Sequence, residues 1–138
     1  MSALRRAVPL AMLAIATALP TSALEAQVAP PSSTREGVYT VEQAERGKEI
    51  MRDICAECHM DDEFMGTFIK SWAGASVGDL FEEVSTKMPE DRPASLRPRE
   101  YAQVLAYIFQ LNGLPPGEVP MSSSIEELRE IIIEGSQG

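Results

Sequence analysis

The feature that most constrains this chain is a five-residue run, Cys55-Ala56-Glu57-Cys58-His59. Two thiols separated by two residues can each form a thioether bond to a vinyl group on one face of a porphyrin, and a histidine directly after the second thiol then lies beneath the iron. The run therefore predicts that Cys55 and Cys58 attach one haem c covalently and that His59 is the proximal iron ligand.

Other chemistries that use two cysteines at this spacing need features that the sequence lacks. A structural zinc site takes four ligands, whereas the chain has two cysteines and one histidine in total. A thioredoxin-like redox site lies at the start of a helix within alternating strands and helices, and the sequence shows no such alternation. A thiol–disulfide oxidoreductase that uses Cys55 and Cys58 is the enzymatic alternative, and it would have free thiols and no haem.

The first 26 residues have the pattern of a secretory signal peptide. Arg5 and Arg6 precede an apolar run from Ala7 to Leu19, and small residues then allow cleavage after Ala23 or Ala26. The apolar run is about 13 residues long, too short for the roughly 20 residues of a membrane-spanning helix. We therefore expect a periplasmic protein with no integral membrane span in its mature chain, and covalent haem would keep both cysteines from forming a disulfide there.

The remainder of the chain divides into three predicted parts. Residues 27–39 contain two prolines and two serines in succession and are expected to form a flexible leader. Residues 40–117 are expected to form the haem-binding domain, and residues 118–138 a C-terminal extension with a short helix. The formal net charge of −9 makes nucleic acid an improbable partner. It is compatible either with simple solubility or with steering toward a basic docking face.

The pattern of apolar residues predicts an all-α domain, with three to four helices around one haem. Capping boxes at Thr40 with Gln43 and at Ser76 with Asp79 mark two helix starts. The predicted helices cover residues 41–54, 76–86, 98–112 and 125–134. Gly47 lies in the apolar stripe of the first helix, where we expect another helix to approach closely. In the last helix, the residues expected to face the domain are Leu128, Ile131 and Ile132.

The second iron ligand cannot be a histidine of this chain, because His59 is the only one. Methionine is the natural alternative, since its soft thioether favours the ferrous ion. Met88 is the preferred candidate because it lies in a loop between two helices and Pro89 biases its backbone toward an extended conformation. Met65 is the next candidate. With His59 and Met88 both bound, no position on the iron is open to a substrate, so we expect an electron carrier and not an enzyme.

These features resemble those of class I, monohaem c-type cytochromes over residues 41–117. The resemblance depends on the glycine of the first helix, the run from Cys55 to His59, the pair Met88-Pro89, and the aromatic-rich stretch from Tyr101 to Ile108 in the last long helix. The stretch 72–81, together with Met88-Pro89 and Asn112-Gly113, is similar to small bacterial cytochromes c associated with quinoprotein dehydrogenases. Residues 40–117 would then be a cytochrome c domain.

The resemblance implies a cytochrome c fold in which the first and last long helices cross at Gly47. Trp72 would lie near the haem, either donating its indole N–H to a propionate or acting as an aromatic core residue. One departure concerns His59: related proteins have a proline in the following loop whose carbonyl accepts the imidazole N–H, but no proline occurs between His59 and Pro89. Either the haem is more exposed on that side or another carbonyl orients the ring.

The resemblance also implies partners. The expected function is single-electron transfer from a quinoprotein dehydrogenase, or from a cytochrome complex, toward a terminal oxidase, through transient and salt-sensitive contacts. One alternative is a fixed cytochrome subunit of a larger complex in which the helix at 125–134 is a docking element. Another is a gas or redox sensor with a weak sixth ligand.

Overall fold

Helices provide the regular secondary structure of residues 29–135, the part of the chain that the computed structural model describes. The five α-helices are α1 (Val41–Asp53), α2 (Thr67–Ser71), α3 (Val77–Lys87), α4 (Pro98–Leu111) and α5 (Ile125–Arg129). Short 3-10 helices lie at Thr34–Glu36, Cys55–Glu57 and Asp61–Phe64. Isolated β-bridges are the extent of β pairing within these residues, which confirms the all-α prediction for them. The signal peptide expected at 1–26 lies outside the described residues.

Helices α1 and α4 cross at Gly47, where the two backbones come into direct contact. A Cβ atom built on Gly47 would lie 1.8 Å from the carbonyl oxygen of Gln103 and 3.0 Å from Cβ of Tyr107. No side chain fits in that space, because two helix backbones approach so closely only where one of them carries glycine. The expectation that another helix packs against Gly47 is therefore confirmed.

The helix starts follow the capping signals of the sequence. The Thr40 and Ser76 hydroxyls accept hydrogen bonds from backbone N–H groups three residues on, and the side chains of Gln43 and Asp79 complete both capping boxes. Pro98 occupies the first position of α4, and Gly113 ends that helix with φ of 70°. The short helix α2 was not predicted, because five residues are too few to show a helical period.

The core lies between α1, α3 and α4 and is closed by the two ends of the described chain. Helix α4 is buried on most of its surface, since small and aromatic residues as well as the predicted apolar ones lie inside. Leu111 is only partly buried and packs at the margin of the core. The fully or nearly fully buried residues of α4 are Tyr101, Ala102, Val104, Leu105, Ala106, Tyr107, Ile108 and Phe109.

The prediction of a flexible leader is wrong for residues 32–39. Thr34, Val38 and Tyr39 are buried, and the Tyr39 hydroxyl donates a hydrogen bond of 2.6 Å to the carbonyl oxygen of Leu114. The backbone of this segment also bonds to the end of the described chain, where Ile132 receives a bond from Thr34 N–H and donates one to Ser32. The prolines and serines upstream suggested disorder, but the apolar pair Val38 and Tyr39 contributes enough burial to hold the segment on the domain.

The last helix is shorter than predicted. Helix α5 ends at Arg129, and the chain then continues extended through three isoleucines in succession. Backbone hydrogen bonds join Ile131 to Val77 and Ile133 to Ala75. In an extended chain alternate side chains point to opposite sides. Ile131 and Ile133 are therefore buried while Ile132 is 41% exposed, and the prediction that Ile132 faces the domain is wrong. Three β-branched residues in a row favour this extended form.

Between residues 29 and 135, no helix combines the length and the apolar character that crossing a bilayer would require.

Candidate haem site

The motif from Cys55 to His59 forms a tight turn directly after α1. The turn is a 3-10 helix in which the carbonyl oxygen of Cys55 accepts hydrogen bonds from the backbone N–H groups of Cys58, at 3.1 Å, and His59, at 2.9 Å. Cys55 is partly buried and Cys58 is exposed. The turn places both thiols and the imidazole along the wall of one cavity. These are the three side chains that covalent haem attachment requires.

That cavity has a volume of about 1080 Å³, slightly above the range of roughly 300–1,000 Å³ found for cofactor and ligand pockets. Its wall contains every site residue predicted from the sequence, namely Cys55, Cys58, His59, Met88 and Trp72. Much of the remaining wall is apolar and comes from helices on all sides. It includes Ile54, Phe68, Leu80, Val84, Val104 and Ile108.

The positions of the methionines in the structure distinguish the candidates for the second iron ligand. Met88 lines the cavity, and its backbone is extended, with φ of −114° and ψ of 149°, as predicted from Pro89. Met51 also lines the cavity but lies in α1, one turn before Cys55. Met65 is 45% exposed and is not part of the cavity wall, and Met121 is buried in the core. Met88 is therefore better placed than Met65 to ligate the iron of a haem held in this cavity.

The segment that carries Met88 is held by Tyr101 of α4. The Tyr101 hydroxyl donates a hydrogen bond of 2.7 Å to the carbonyl oxygen of Met88 and accepts one of 3.3 Å from the backbone N–H of Leu96. The ring of Tyr101 also packs edge-on against Phe81 of α3. A single buried side chain thus fixes both ends of the loop between α3 and α4. From the sequence, Tyr101 was notable only as part of the aromatic-rich last long helix.

The partner of His59 is a carboxylate and not the carbonyl expected from related proteins. Nδ1 of His59 lies 3.0 Å from Oε2 of Glu63, and Oε1 of Glu63 accepts a hydrogen bond of 3.2 Å from the backbone N–H of Met60. The hydrogen bond from His59, followed by that from Met60, holds the pKa of Glu63 below its ordinary value. The i, i+4 spacing of His59 and Glu63 gives no indication of this pair in the sequence, because the two residues do not share a helix.

These residues fit a covalently bound haem. With the Nδ1 proton of His59 directed at Glu63, the Nε2 lone pair is left for the iron. The thiols lie on the same turn, and the apolar wall suits the porphyrin. Burial raises the pKa of the Cys55 thiol, whereas a thiol–disulfide catalyst needs a lowered one. The indole of Trp72 lies in the wall, which is compatible with both roles expected for it.

The mouth of the cavity carries more acidic than basic side chains. Lys87 and Arg92 are paired with neighbouring carboxylates, at 2.6 Å from Glu83 and 3.0 Å from Asp91. The local charge is therefore negative, in agreement with the net charge of the chain. The acidic residues among those that line the cavity are Glu57, Glu63, Glu83, Glu90 and Asp91.

Comparison with known proteins gives a family match that covers the segment around the cavity. Residues 42–108 match the family model described as cytochrome C oxidase, cbb3-type, subunit III. No curated protein and no solved structure matches the chain. The matched segment contains the attachment turn, Met88 and most of α4, and its helical fold is consistent with that of cytochrome c. The match supports a c-type cytochrome domain in this part of the chain, with the covalently bound haem c and haem-based electron transfer that such a domain implies.

Proposed function

We propose that the protein is a periplasmic electron carrier with one haem c, attached through Cys55 and Cys58, whose iron His59 and Met88 would ligate. The observation that carries this proposal is that one cavity brings the two thiols, the imidazole and the Met88 thioether to its wall. Because His59 and Met88 would both ligate the iron and leave no position for a substrate, we infer that the protein transfers electrons and catalyses no reaction of its own. The segment at 1–26, with its signal-peptide pattern, supports export.

The chain contributes the environment of the redox centre. Haem supplies a one-electron couple when it is bound. The thioether of Met88 favours the reduced form and raises the potential, and Tyr101 holds the backbone of Met88 in place. The apolar side chains of α3 and α4 that line the cavity would exclude water from a bound haem, which would limit the change in solvation when its charge changes.

Attachment is tested by producing the full chain in a host that matures c-type cytochromes. We expect haem staining that survives denaturing electrophoresis, because thioether bonds are covalent. The double substitution Cys55→Ser with Cys58→Ser removes the stain. A colourless wild-type protein with two titratable thiols would contradict the proposal.

The role of Met88 is tested by the oxidised spectrum. Met88→Ala should eliminate the weak far-red band that arises from sulfur bonded to ferric iron, while the covalent haem stays attached. Met65→Ala is the matched control, since Met65 lies outside the cavity wall, and it should leave the band unchanged. Retention of the band in Met88→Ala would exclude Met88 as the ligand.

For the partners, we propose that electrons come from a quinoprotein dehydrogenase and pass toward a terminal oxidase. The support is the similarity of residues 72–81 to cytochromes of that kind and the acidic mouth of the cavity, which suits a basic docking face. Second-order electron-transfer rates with the dehydrogenase should fall as ionic strength rises. Glu90→Gln at the mouth should lower the rate at low salt more than Glu45→Gln on the exposed face of α1, which removes an equal charge.

A fixed subunit of a larger redox complex is the second candidate, and the observation in its favour is that the matching family model describes an oxidase subunit. Against it, the apolar residues Leu128, Ile131 and Ile133, near or within the proposed docking helix, are buried in the chain's own core. Size-exclusion chromatography of native extracts separates the two candidates. A free carrier elutes at the mass of a single mature chain, below the 15.1 kDa of the full sequence, and a subunit elutes with the complex.

A further inference from the structure

The carboxylate of Glu63 is held in place against the proximal ligand by contacts on both of its oxygens. Oε2 lies 3.0 Å from Nδ1 of His59, and Oε1 accepts the backbone N–H of Met60 at 3.2 Å. The backbone N–H of Glu63 donates in turn to the carbonyl oxygen of Met60 at 3.0 Å. The side chain is therefore aimed at the imidazole by the turn that carries it.

That turn is fastened to α4 at two points. The Asn112 amide donates to the carbonyl oxygen of Phe64 at 2.8 Å and accepts from the backbone N–H of Gly66 at 2.9 Å. On the other side, the Tyr107 hydroxyl donates to Asp61 at 2.8 Å. The ring of Phe64 also packs edge-on against His59, with ring centroids 5.3 Å apart. Glu63 lies between these anchors, so its distance from His59 is set by the fold.

We propose that Glu63 is the positioning residue of the proximal ligand and that its carboxylate lowers the reduction potential of the haem. The proposal depends on the proposed function, in which His59 ligates the iron. A carboxylate accepts a hydrogen bond more strongly than a neutral carbonyl does. It draws the Nδ1 proton from the ring, which makes Nε2 a better electron donor and stabilises ferric iron. No proline carbonyl is present to take this role between His59 and Pro89.

The test compares substitutions at Glu63 with the same change at Glu57. Glu57 also lines the cavity but has no hydrogen bond to His59, so Glu57→Gln measures the effect of removing one nearby negative charge. Glu63→Gln replaces the anionic acceptor with a neutral one. In redox titrations of the holoproteins, we expect Glu63→Gln to shift the equilibrium toward ferrous haem by about tenfold, or about 59 mV for a one-electron couple. Glu57→Gln should shift it by clearly less.

A second substitution separates the hydrogen bond from the charge. Glu63→Asp keeps the negative charge but shortens the side chain, so a rise in potential in this variant reflects the weakened hydrogen bond. The hyperfine-shifted proton resonances of the His59 ring in the ferric protein should move in both Glu63 variants and stay in place in Glu57→Gln. Because Glu63 lies at the surface, we expect all three variants to keep the fold, which circular dichroism checks.

The outcomes distinguish this proposal from the proposed function. If Glu63→Gln shifts the potential no more than Glu57→Gln does, while the wild type contains covalent haem, the role of Glu63 is wrong and the electron carrier stands. If the wild type contains no covalent haem, the proposed function itself fails. A rise in the reduction potential of Glu63→Gln that clearly exceeds the shift in Glu57→Gln, together with moved His59 resonances, supports both.

Discussion

The hydroxyl of Tyr101 is a single group that joins the Met88 segment to the core. Tyr101→Phe removes the hydrogen bonds to the carbonyl oxygen of Met88 and from the N–H of Leu96. We expect a loss of about 1 kcal/mol in the free energy of unfolding. The weak far-red band of the sulfur–iron bond should also disappear at a lower temperature than in the wild type.

Tyr39→Phe is the matched control for this substitution. The Tyr39 hydroxyl is also buried and bonded to a backbone carbonyl, but that carbonyl belongs to Leu114, away from the cavity. This variant should lose similar stability while its far-red band persists until global unfolding. If the far-red band disappeared at the same interval below the global unfolding temperature in both variants, Tyr101 would have no specific effect on Met88.

Tyr107 gives the protein a defined response to alkaline pH. Burial, followed by the hydrogen bond to Asp61, raises the pKa of Tyr107 from 10.0 to about 12. Since the folded pKa lies above the unfolded one, the stabilisation is complete below pH 10 and is lost as the pH rises through 12. Between those values, the urea midpoint of the wild type should fall more steeply than that of Tyr107→Phe.

In Tyr107→Phe the urea midpoint should still fall as the pH rises, but by less than in the wild type. The remaining fall is expected because burial also raises the pKa of Tyr39. Equal slopes in the two proteins would show that Tyr107 titrates normally. A ¹³C-tyrosine NMR titration provides a direct measurement, and the Tyr107 resonance should titrate well above an ordinary tyrosine.

At the residue scale, the sequence was sufficient to predict roles that depend on neighbouring residues. It was not sufficient to predict side-chain contacts that depend on how the chain folds. Cys55, Cys58 and His59 could be placed together because adjacent residues of one turn must share a site. Met88 could be selected because Pro89 constrains its backbone. Glu63 could not be selected, since its bond to His59 depends on the 3-10 turn Asp61–Phe64, which the composition of that acidic stretch did not indicate.

The crossing of α1 and α4 makes a prediction about helix packing. In an isolated helix, Gly47→Ala would stabilise by up to about 1 kcal/mol. Here the new methyl group would lie 1.8 Å from the carbonyl oxygen of Gln103, so the helices must separate. We expect a net loss of about 1–3 kcal/mol in the free energy of unfolding, as for other overpacked cores.

Lys48→Ala is the control because Lys48 is the next residue of α1 and is exposed. The free energy of unfolding of Lys48→Ala should lie within about 0.5 kcal/mol of the wild-type value. Chemical denaturation of the holoproteins measures the free energy of unfolding of both variants. A stable Gly47→Ala variant would mean that the helices do not meet at this residue.

At the scale of elements, long helices with cap signals were predicted within one or two residues, and short ones were not. Helix α4 combines Pro98 at its start, a clear apolar period and Gly113 at its end, so each signal supports the others. The error at α5 came from extending a helical period through three isoleucines, where β-branched side chains and backbone partners on Ala75 and Val77 favour an extended chain.

At the scale of the whole molecule, the two ends of the described chain complete the core together. Thr34 is buried, and its hydroxyl oxygen accepts a hydrogen bond of 2.9 Å from the backbone N–H of Glu134. The Gln43 side chain binds both backbone groups of Met121, at 2.7 Å and 2.9 Å. Composition alone suggested a leader and an extension outside the domain. The long-range contacts that make them part of it carry no local signal in the sequence.

Removing residues 118–138 should therefore destabilise the protein without removing the haem site. The lost residues include Met121, Leu128, Ile131 and Ile133, all buried, and each large side chain lost from a core costs about 2–5 kcal/mol. Every residue that lines the cavity lies between 51 and 108. We expect covalent haem to remain detectable by staining, with a strongly lowered melting temperature.

Leu128→Ala tests the same contact with one side chain, because Leu128 is fully buried in α5. It should lower the free energy of unfolding by about 2–5 kcal/mol, whereas Glu130→Ala, an exposed neighbour, should change it by less than about 0.5 kcal/mol. If α5 were chiefly a docking element for a partner, Leu128→Ala would leave the stability of the isolated protein unchanged and weaken the complex instead. The thermal melt of the purified holoprotein therefore decides whether this segment serves the domain's own core or a partner.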